Sequence, residues 1–175
     1  MSNNSSPVIE TSRLLLRPPL ISDFDDLFRL WTTPEVFRFI SGKPSTREER
    51  WARLLRYIGH WTAFGFGFFG AVEKASGRYV GECGMMDFQR EVSPLLDESA
   101  EAGWVFGPQA SGRGLATEAM SAIVDWYCRR PDAKPLACII APENTASIGV
   151  AKKLGFVLEC EVLYRGQGIT LFRRS

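Results

Sequence analysis

The first part of the chain places a short apolar run before a segment with helical spacing. "RLLLRPP", residues 13–19, is an apolar run that prolines stop, which predicts a short strand. "SDFDDLFRLWT" follows with acidic residues in its first turn, which predicts a helix with Ser22 as its N-cap. Residues 33–44 carry aromatic side chains without a sustained period, so we expect a loop or a broken helix there.

A second helix is predicted from "STREERWARLLRYIGHW", which begins at Ser45. Ser45 and Glu48 have the spacing of a capping box, in which the two side chains bond each other's backbone N–H groups. Leu54, Leu55 and Ile58 would then face inward, and the arginines would lie on the solvated side.

The apolar pattern of the middle of the chain changes to that of strands. Residues 64–74 and 78–88 flank a Ser-Gly turn and predict a hairpin, and residues 99–106 predict another strand. Apolar residues then recur at helical spacing over residues 115–128, and Pro131 ends that helix.

The last part of the chain predicts a strand, a helix and two further strands. "PLACIIA", residues 135–141, reads as a central strand. The next helix has Asn144 as its N-cap and Gly155 just past its end, and two strands follow around Gly166 and Gly168. This order predicts one domain of mixed α/β class at residues 8–175, preceded by a disordered tail at residues 1–7.

Composition and charge exclude several classes of protein. Of the 175 residues 45% are hydrophobic, and the formal net charge is +1, so neither disorder nor a basic nucleic-acid surface is indicated. We also expect no membrane segment, and the polar start, unlike a signal peptide, predicts a cytoplasmic protein. The four cysteines lack a C-x-x-C pair and His60 is the one histidine, so we expect buried reduced thiols and no metal site.

The junction "GWVFGPQASGRGLATEAM", residues 103–120, carries the candidate chemistry. Gly112 and Gly114 permit positive φ and leave the backbone bare before a helix N-terminus, an arrangement that binds phosphate groups, and Arg113 could add a charge-assisted bond. No P-loop pattern occurs. A dinucleotide fingerprint would need a third glycine where Thr117 stands, and a purely structural glycine turn is the plainest alternative.

Gln109-Ala110-Ser111-Gly112-Arg113-Gly114 resembles the Q-x-x-G-x-G/A pyrophosphate motif of the GNAT N-acetyltransferases. "GPQASGRGLATEAM", "APENTASIGVAKKLGF" and the opening "IETSRLLLRPPLISDFDDL" are all similar to the Rim-type branch, which acetylates the N-termini of ribosomal proteins. The resemblance implies a central, mostly antiparallel twisted sheet, helices on both faces and a splayed strand pair, with a bulge, for acetyl-CoA. It also implies transfer of the acetyl group to a primary amine, without a metal.

The resemblance assigns most of its site residues to the cofactor. Backbone groups of the strand before the junction would hold the thioester carbonyl and pantetheine, the junction and the first helical turn would hold the pyrophosphate, and the later helix start would contact the pantetheine arm. These residues are Trp104, Val105, Phe106, Gln109, Ser111, Gly112, Arg113, Gly114, Leu115, Ala116, Thr117, Asn144 and Ser147.

Two residues are candidates for proton transfer. Glu101, on the strand, is the candidate general base, and the alternative is an edge charge that keeps the strand soluble. Many family members carry a tyrosine where this chain has Ala151, so Ser147 is the candidate partner of the leaving thiolate. His60 has a suitable pKa for a base, but its aromatic neighbours favour a packed histidine.

The acceptor remains open at this stage. Phe37, Phe39, Trp61 and Tyr164 could line a pocket or pack in the core, and Arg38 could bind an acidic acceptor or lie solvated. Protein N-termini and small amines are both compatible with the motifs, in a monomer or a homodimer. A catalytically idle acyl-CoA-binding module or sensor is the alternative function, and a nucleotide-binding oxidoreductase is a third hypothesis.

Overall fold

The computed structural model describes residues 7–174, which form one eight-stranded sheet in the order β1-β2-β3-β4-β5-β6-β8-β7. The strands are β1 (Ile9–Glu10), β2 (Leu14–Arg17), β3 (Phe68–Glu73), β4 (Tyr79–Met86), β5 (Ala100–Phe106), β6 (Leu136–Ile140), β7 (Val157–Tyr164) and β8 (Gln167–Arg174). Neighbours are antiparallel except β5 and β6, which are parallel. The predicted mixed sheet is confirmed. The predicted tail, residues 1–7, lies outside the described residues apart from Pro7.

Helices cover both faces of the sheet, as expected. They are α1 (Phe24–Trp31), α2 (Pro34–Phe37), α3 (Arg47–Phe64), α4 (Pro94–Asp97), α5 (Leu115–Cys128) and α6 (Thr145–Lys153). The α1 and α3 helices bury Leu27, Leu54 and Tyr57 in one apolar cluster, while α5 buries Met120 and Ile123 in another. Within residues 7–174, no helix is both long and apolar enough to cross a membrane.

The predicted N-caps of α1 and α3, Ser22 and Ser45, are both wrong. Ser22 lies inside a 3-10 turn, and α1 begins after Asp23. The Asp23 carboxylate accepts a bond of 2.7 Å from the Leu20 N–H and pairs with Arg17 at 2.7 Å, so the end of β2 determines where the turn starts.

The capping box of α3 consists of Thr46 and Glu49, one residue later than predicted. The Thr46 hydroxyl accepts from the Glu49 N–H at 3.2 Å, and the Glu49 carboxylate accepts from the Thr46 N–H at 2.8 Å. The buried face of α3 also differs from the prediction, and it includes Arg50, one of the arginines expected on the solvated side. Leu55 is 45% exposed, whereas Leu54 and Tyr57 are buried.

The expectation of buried thiols holds for two of the four cysteines. Cys83 and Cys138 are buried in the sheet, but Cys160 is half-buried and Cys128 is exposed. Cys128 is the last residue of α5 and follows the buried Tyr127.

A divergence between β5 and β6 opens the sheet near its centre. The two strands pair only at Ala100–Leu136 and Glu101–Ala137, although both continue beyond. The Ala100 N–H donates to the Pro135 carbonyl at 2.9 Å and therefore points toward β6. Backbone groups alternate in direction along a strand, so those of Trp104 and Phe106 point the same way, into the opening.

The remaining β5 backbone groups pair with β4. The Gly107 N–H donates to the Val80 carbonyl at 3.0 Å, and by alternation the Val105 backbone also points toward β4. The register between the two strands runs without a shift from Gly81–Phe106 to Met86–Glu101. The bulge expected in β5 is therefore not present in this pairing.

Candidate active site

The glycine-rich junction forms an uncapped, open helix start. Gly112 and Gly114 have φ of +71° and +72°, in the left-handed region that favours glycine. Among the described residues, a Cβ at Gly112 would meet no atom within 4 Å, and no side chain caps α5 at Gly114. The N–H groups of the first turn, at Leu115, Ala116 and Thr117, have no partner within the helix. With the positive end of the helix dipole, this surface suits an anionic group such as a pyrophosphate.

The other side chains of the junction point away from this surface or into solvent. The Arg113 guanidinium pairs with Glu73 and donates to the Gln109 carbonyl at 3.2 Å, so a phosphate would compete with these partners. Ser111 is exposed, and the Gln109 amide lies against Gly107, where a Cβ would approach its Oε1 to 2.4 Å. Glu73, which the sequence analysis did not consider, is a direct partner of the junction.

A second group that sequence reasoning missed holds the helix start in place. The Glu118 carboxylate accepts bonds from the Thr11 hydroxyl at 2.6 Å and from the Arg13 Nε at 2.6 Å, and Arg13 also donates to the Arg113 carbonyl at 2.8 Å. Burial alone would raise the pKa of Glu118, but the hydrogen bonds from Thr11 and Arg13 outweigh it and lower the pKa to about 2. The turn between β1 and β2 thus anchors α5 to the sheet.

A cavity of about 270 Å³, here called the central cavity, lies between β5, α3, the start of α6 and the β7–β8 turn. Five of the predicted site residues line it, namely Glu101, Trp104, Val105, Asn144 and Ser147. The Trp104 indole N–H is buried without a hydrogen-bond partner among the described residues. The Trp104 ring also packs against the apolar cluster that contains α5, so this buried N–H is enclosed by protein rather than open to the cavity.

Asn144 caps α6 as predicted, and its Oδ1 accepts from the Ser147 N–H at 3.1 Å. Ser147 itself is partly exposed in the central cavity. Its backbone is therefore held in position by the cap, while its hydroxyl has no hydrogen-bond partner within residues 7–174. A hydroxyl in this position is available to a ligand.

Glu101 faces the central cavity but is not a free carboxylate. Arg90 binds it through two hydrogen bonds, Nε to Oε2 at 2.7 Å and Nη2 to Oε1 at 2.9 Å. The same guanidinium donates to the Tyr164 hydroxyl and lies 4.2 Å from the centre of the Phe88 ring. Burial raises the pKa of Glu101 above its ordinary value, and the bonds from Arg90 limit that rise. A proton taken up by Glu101 therefore competes with the hydrogen bonds from Arg90.

The aromatic residues considered for the acceptor side separate into two groups. Phe39 and Tyr164 line the central cavity, and Arg38 is exposed and stacks on Phe39 at 4.5 Å. Phe37 does not line it. Trp61 is buried in the core, where its indole N–H donates to the Phe68 carbonyl at 2.7 Å.

His60 is a packed histidine, as the sequence favoured. Its Nε2 accepts from the Asp87 N–H at 3.0 Å, so its Nδ1 carries the proton and donates to the Phe66 carbonyl at 2.7 Å. Burial lowers the pKa of His60, and both ring nitrogens are occupied. His60 is therefore not positioned as a base.

Comparison with known proteins identifies a family that this chain matches over most of its length. A family model described as an acetyltransferase (GNAT) domain matches residues 13–157. The protein YkkB of Bacillus subtilis (strain 168) is 30% identical over 174 residues, which cover 98% of this chain and 98% of that protein.

Solved structures share the fold over nearly the whole chain. A GnaT-family protein from Bordetella pertussis has a TM-score of 0.87 at 30% identity, covering 97% of this chain and 99% of that one. RimL, a ribosomal alpha-N-protein acetyltransferase in complex with coenzyme A, has a TM-score of 0.78 at 18% identity, covering 96% of this chain and 97% of that one. Because RimL is only 18% identical, its similarity shows the fold alone.

Proposed function

The chain belongs to the GNAT acetyltransferase family and is an acetyl-CoA-dependent N-acetyltransferase, and we propose that it acetylates a primary amine held in the central cavity. The amine is either the α-amine of a protein N-terminus or that of a small molecule. The single observation that carries this proposal is the convergence of Glu101, Trp104, Asn144 and Ser147 on one cavity beside the opening between β5 and β6.

The cofactor site in this proposal uses mainly backbone groups. The N–H groups of Leu115, Ala116 and Thr117 hold the pyrophosphate, and Gly112 and Gly114 leave room for it. The Trp104 and Phe106 backbone groups, which point into the opening, hold the pantetheine arm and polarise the thioester carbonyl. When bound, acetyl-CoA supplies the electrophilic thioester carbon that the amine attacks.

Proton transfer in this proposal involves two side chains. The amine loses a proton to Glu101, directly or through a water, and a raised pKa brings that carboxyl closer to neutral pH. The Ser147 hydroxyl donates to the leaving thiolate, whose ordinary pKa of about 8.5 makes full protonation unnecessary at neutral pH.

The test is release of free CoA from acetyl-CoA, followed by thiol detection, with N-terminal peptides, amino acids, polyamines and aminoglycosides as acceptors. We expect at least one class to stimulate release above the acceptor-free rate, with the acetylated amine identified by mass spectrometry. Acetyl-CoA that binds, as judged by thermal shift, without stimulation by any class would refute acetylation of these amines.

A further inference from the structure

The central cavity concentrates positive charge. Its lining includes four arginines, Arg53, Arg56, Arg90 and Arg165, and one carboxylate, Glu101. The whole chain has a formal net charge of only +1, so the central cavity is more positively charged than the molecule as a whole. This charge repels an amine that is cationic in solution, so it favours binding only of an acceptor that also carries a negative group.

Three of the four arginines have no ion pair or side-chain hydrogen bond within residues 7–174. They are Arg165, which is exposed at the β7–β8 turn, and the two arginines of α3. Arg90 is committed to Glu101, but neither Arg53 nor Arg56 forms an ion pair or a side-chain hydrogen bond among the described residues. They lie three positions apart on α3, so both side chains project from the same side of the helix.

Aromatic rings support these two side chains at the cavity wall. The Arg53 guanidinium lies 5.7 Å from the centre of the Tyr57 ring and 5.8 Å from that of Phe88, and the Arg56 guanidinium lies 5.6 Å from Phe88. Burial and the charge of Arg53 lower the pKa of Arg56, with a further contribution from Arg90. The guanidiniums therefore act on one another as like charges.

Among the described residues, Glu101 and Glu82 act electrostatically on Arg53, but neither forms an ion pair with Arg53 or Arg56. The Glu82 carboxylate lies behind the wall, fully buried, where it accepts from Tyr57 at 2.7 Å and from Trp31 at 3.0 Å. The glycine-rich junction, which suits the phosphates of CoA, does not line the central cavity. A negative group on the acceptor would supply the direct partner that Arg53 and Arg56 lack among the described residues.

We propose that the acceptor is an amine that also carries a carboxylate, which Arg53 and Arg56 bind while the amine faces Glu101. The inference rests on the proposed function and narrows its acceptor to acidic amino compounds, whether a small amino acid or a peptide with an acidic residue beside its N-terminus. Guanidinium groups bind carboxylates through paired hydrogen bonds. Polyamines and aminoglycosides are disfavoured, because their additional cationic groups would meet the same arginines.

The test compares acceptors of matched size that differ in whether they carry a carboxylate. β-Alanine is compared with β-alaninamide, the peptide amide Ala-Asp-Ala with Ala-Asn-Ala, and spermidine serves as a polycation. Each is assayed with the wild-type protein, with Arg53→Gln and Arg56→Gln, and with Arg129→Gln as a control, because Arg129 is exposed at the end of α5 and does not line the central cavity. The first pair tests a small acceptor and the second a peptide.

In the wild type we expect kcat/KM for at least one acid to exceed that of its amide by roughly 10- to 100-fold, as for a charge-assisted bond. The ratio should fall toward one in Arg53→Gln and Arg56→Gln and stay unchanged in Arg129→Gln. Equal use of acid and amide in both pairs, a preference for spermidine, or a ratio that survives both substitutions would overturn the inference.

Failure of acetyl transfer itself is a separate outcome. If no acceptor stimulates CoA release, the proposed function fails, and calorimetric titration of β-alanine and β-alaninamide into the CoA-bound protein then decides the inference. Tighter binding of the acid that is lost in Arg53→Gln would retain a carboxylate site, whereas equal binding would overturn it.

Discussion

Replacing Arg90 by glutamine should destabilise the protein by an amount that depends on the charge of Glu101. The two side chains are only 19% and 8% exposed, and two charge-assisted hydrogen bonds of 2.7 and 2.9 Å join them. At about 1.5–3 kcal/mol for each bond, their loss corresponds to about 3–6 kcal/mol. That range agrees with the penalty of about 3–5 kcal/mol for leaving one partner of a buried ion pair alone.

The sign of the pH dependence follows from the direction of the pKa of Glu101. Burial raises this pKa in the folded wild type, and removal of Arg90 raises it further because the bonds that lower it are lost. Between the ordinary glutamate pKa, about 4.3, and the raised folded value, the folded state binds more protons than the unfolded state. Stability therefore falls as pH rises through this interval, and the interval is wider in Arg90→Gln. The two proteins should be most alike at or below about pH 4.3 and diverge above it.

Urea unfolding near the ordinary glutamate pKa and near neutral pH measures this difference. Arg90→Gln, Glu101→Gln and the double variant complete a mutant cycle, and we expect a coupling free energy of about 3 kcal/mol at neutral pH that shrinks in acid. The double variant should be more stable than Arg90→Gln at neutral pH, because it contains no buried unpaired carboxylate. A penalty for Arg90→Gln of the same size at both pH values, or coupling below about 0.5 kcal/mol, would refute the ionic interpretation.

Three further substitutions test the remaining parts of the site. Gly112→Asp places a carboxylate before α5 and should weaken acetyl-CoA binding by roughly 10- to 100-fold relative to Gly112→Asn, which has nearly the same shape and backbone tolerance; equal affinities by calorimetry would contradict the pyrophosphate site. Ser147→Ala should lower kcat by roughly 2- to 10-fold with little change in the KM for acetyl-CoA, and an unchanged kcat would remove Ser147 from the reaction. Glu118→Gln should lower stability above the ordinary glutamate pKa, and the deficit should disappear as pH falls toward the folded pKa of about 2, as measured by acid unfolding; a deficit independent of pH would show that the charge is not responsible.

Helices with clear spacing and one set of boundary residues were predictable from the sequence. For α5 the predicted residues 115–128 agree with the structure, because a glycine before the helix and Pro131 after it leave little choice. For α3 the chain offers two overlapping capping boxes, Ser45 with Glu48 and Thr46 with Glu49. Local spacing does not choose between them. The structure uses the second box, so the choice depends on contacts beyond the local sequence.

The candidate site was predictable where it is built from consecutive residues. Glycine adopts a positive φ without strain, so the role of Gly112 and Gly114 could be predicted from the sequence. The bonds from Arg13 to Glu118 span 105 positions, and the bond from Arg90 to Tyr164 spans 74, so both depend on the order of strands in the sheet. Arg53 was assigned to the solvated side of α3 for the same reason, because nothing local shows that β5 and β7 enclose that side.

The ion pair at Glu101 and the unpaired arginines act together in the proposed reaction. Only the neutral amine attacks, and the amine has an ordinary pKa of about 8 at a protein N-terminus or near 10 on a small molecule. Arg53, Arg56 and Arg90 border the same cavity, and positive charges disfavour the ammonium form of a bound amine, so its pKa is lowered. A weaker base then suffices, and Glu101 can receive the proton while Arg90 holds its position. The acceptor's carboxylate offsets part of the arginine charge, so the arrangement favours binding of acidic amines, and the pKa of their amine is lowered less than that of a neutral acceptor.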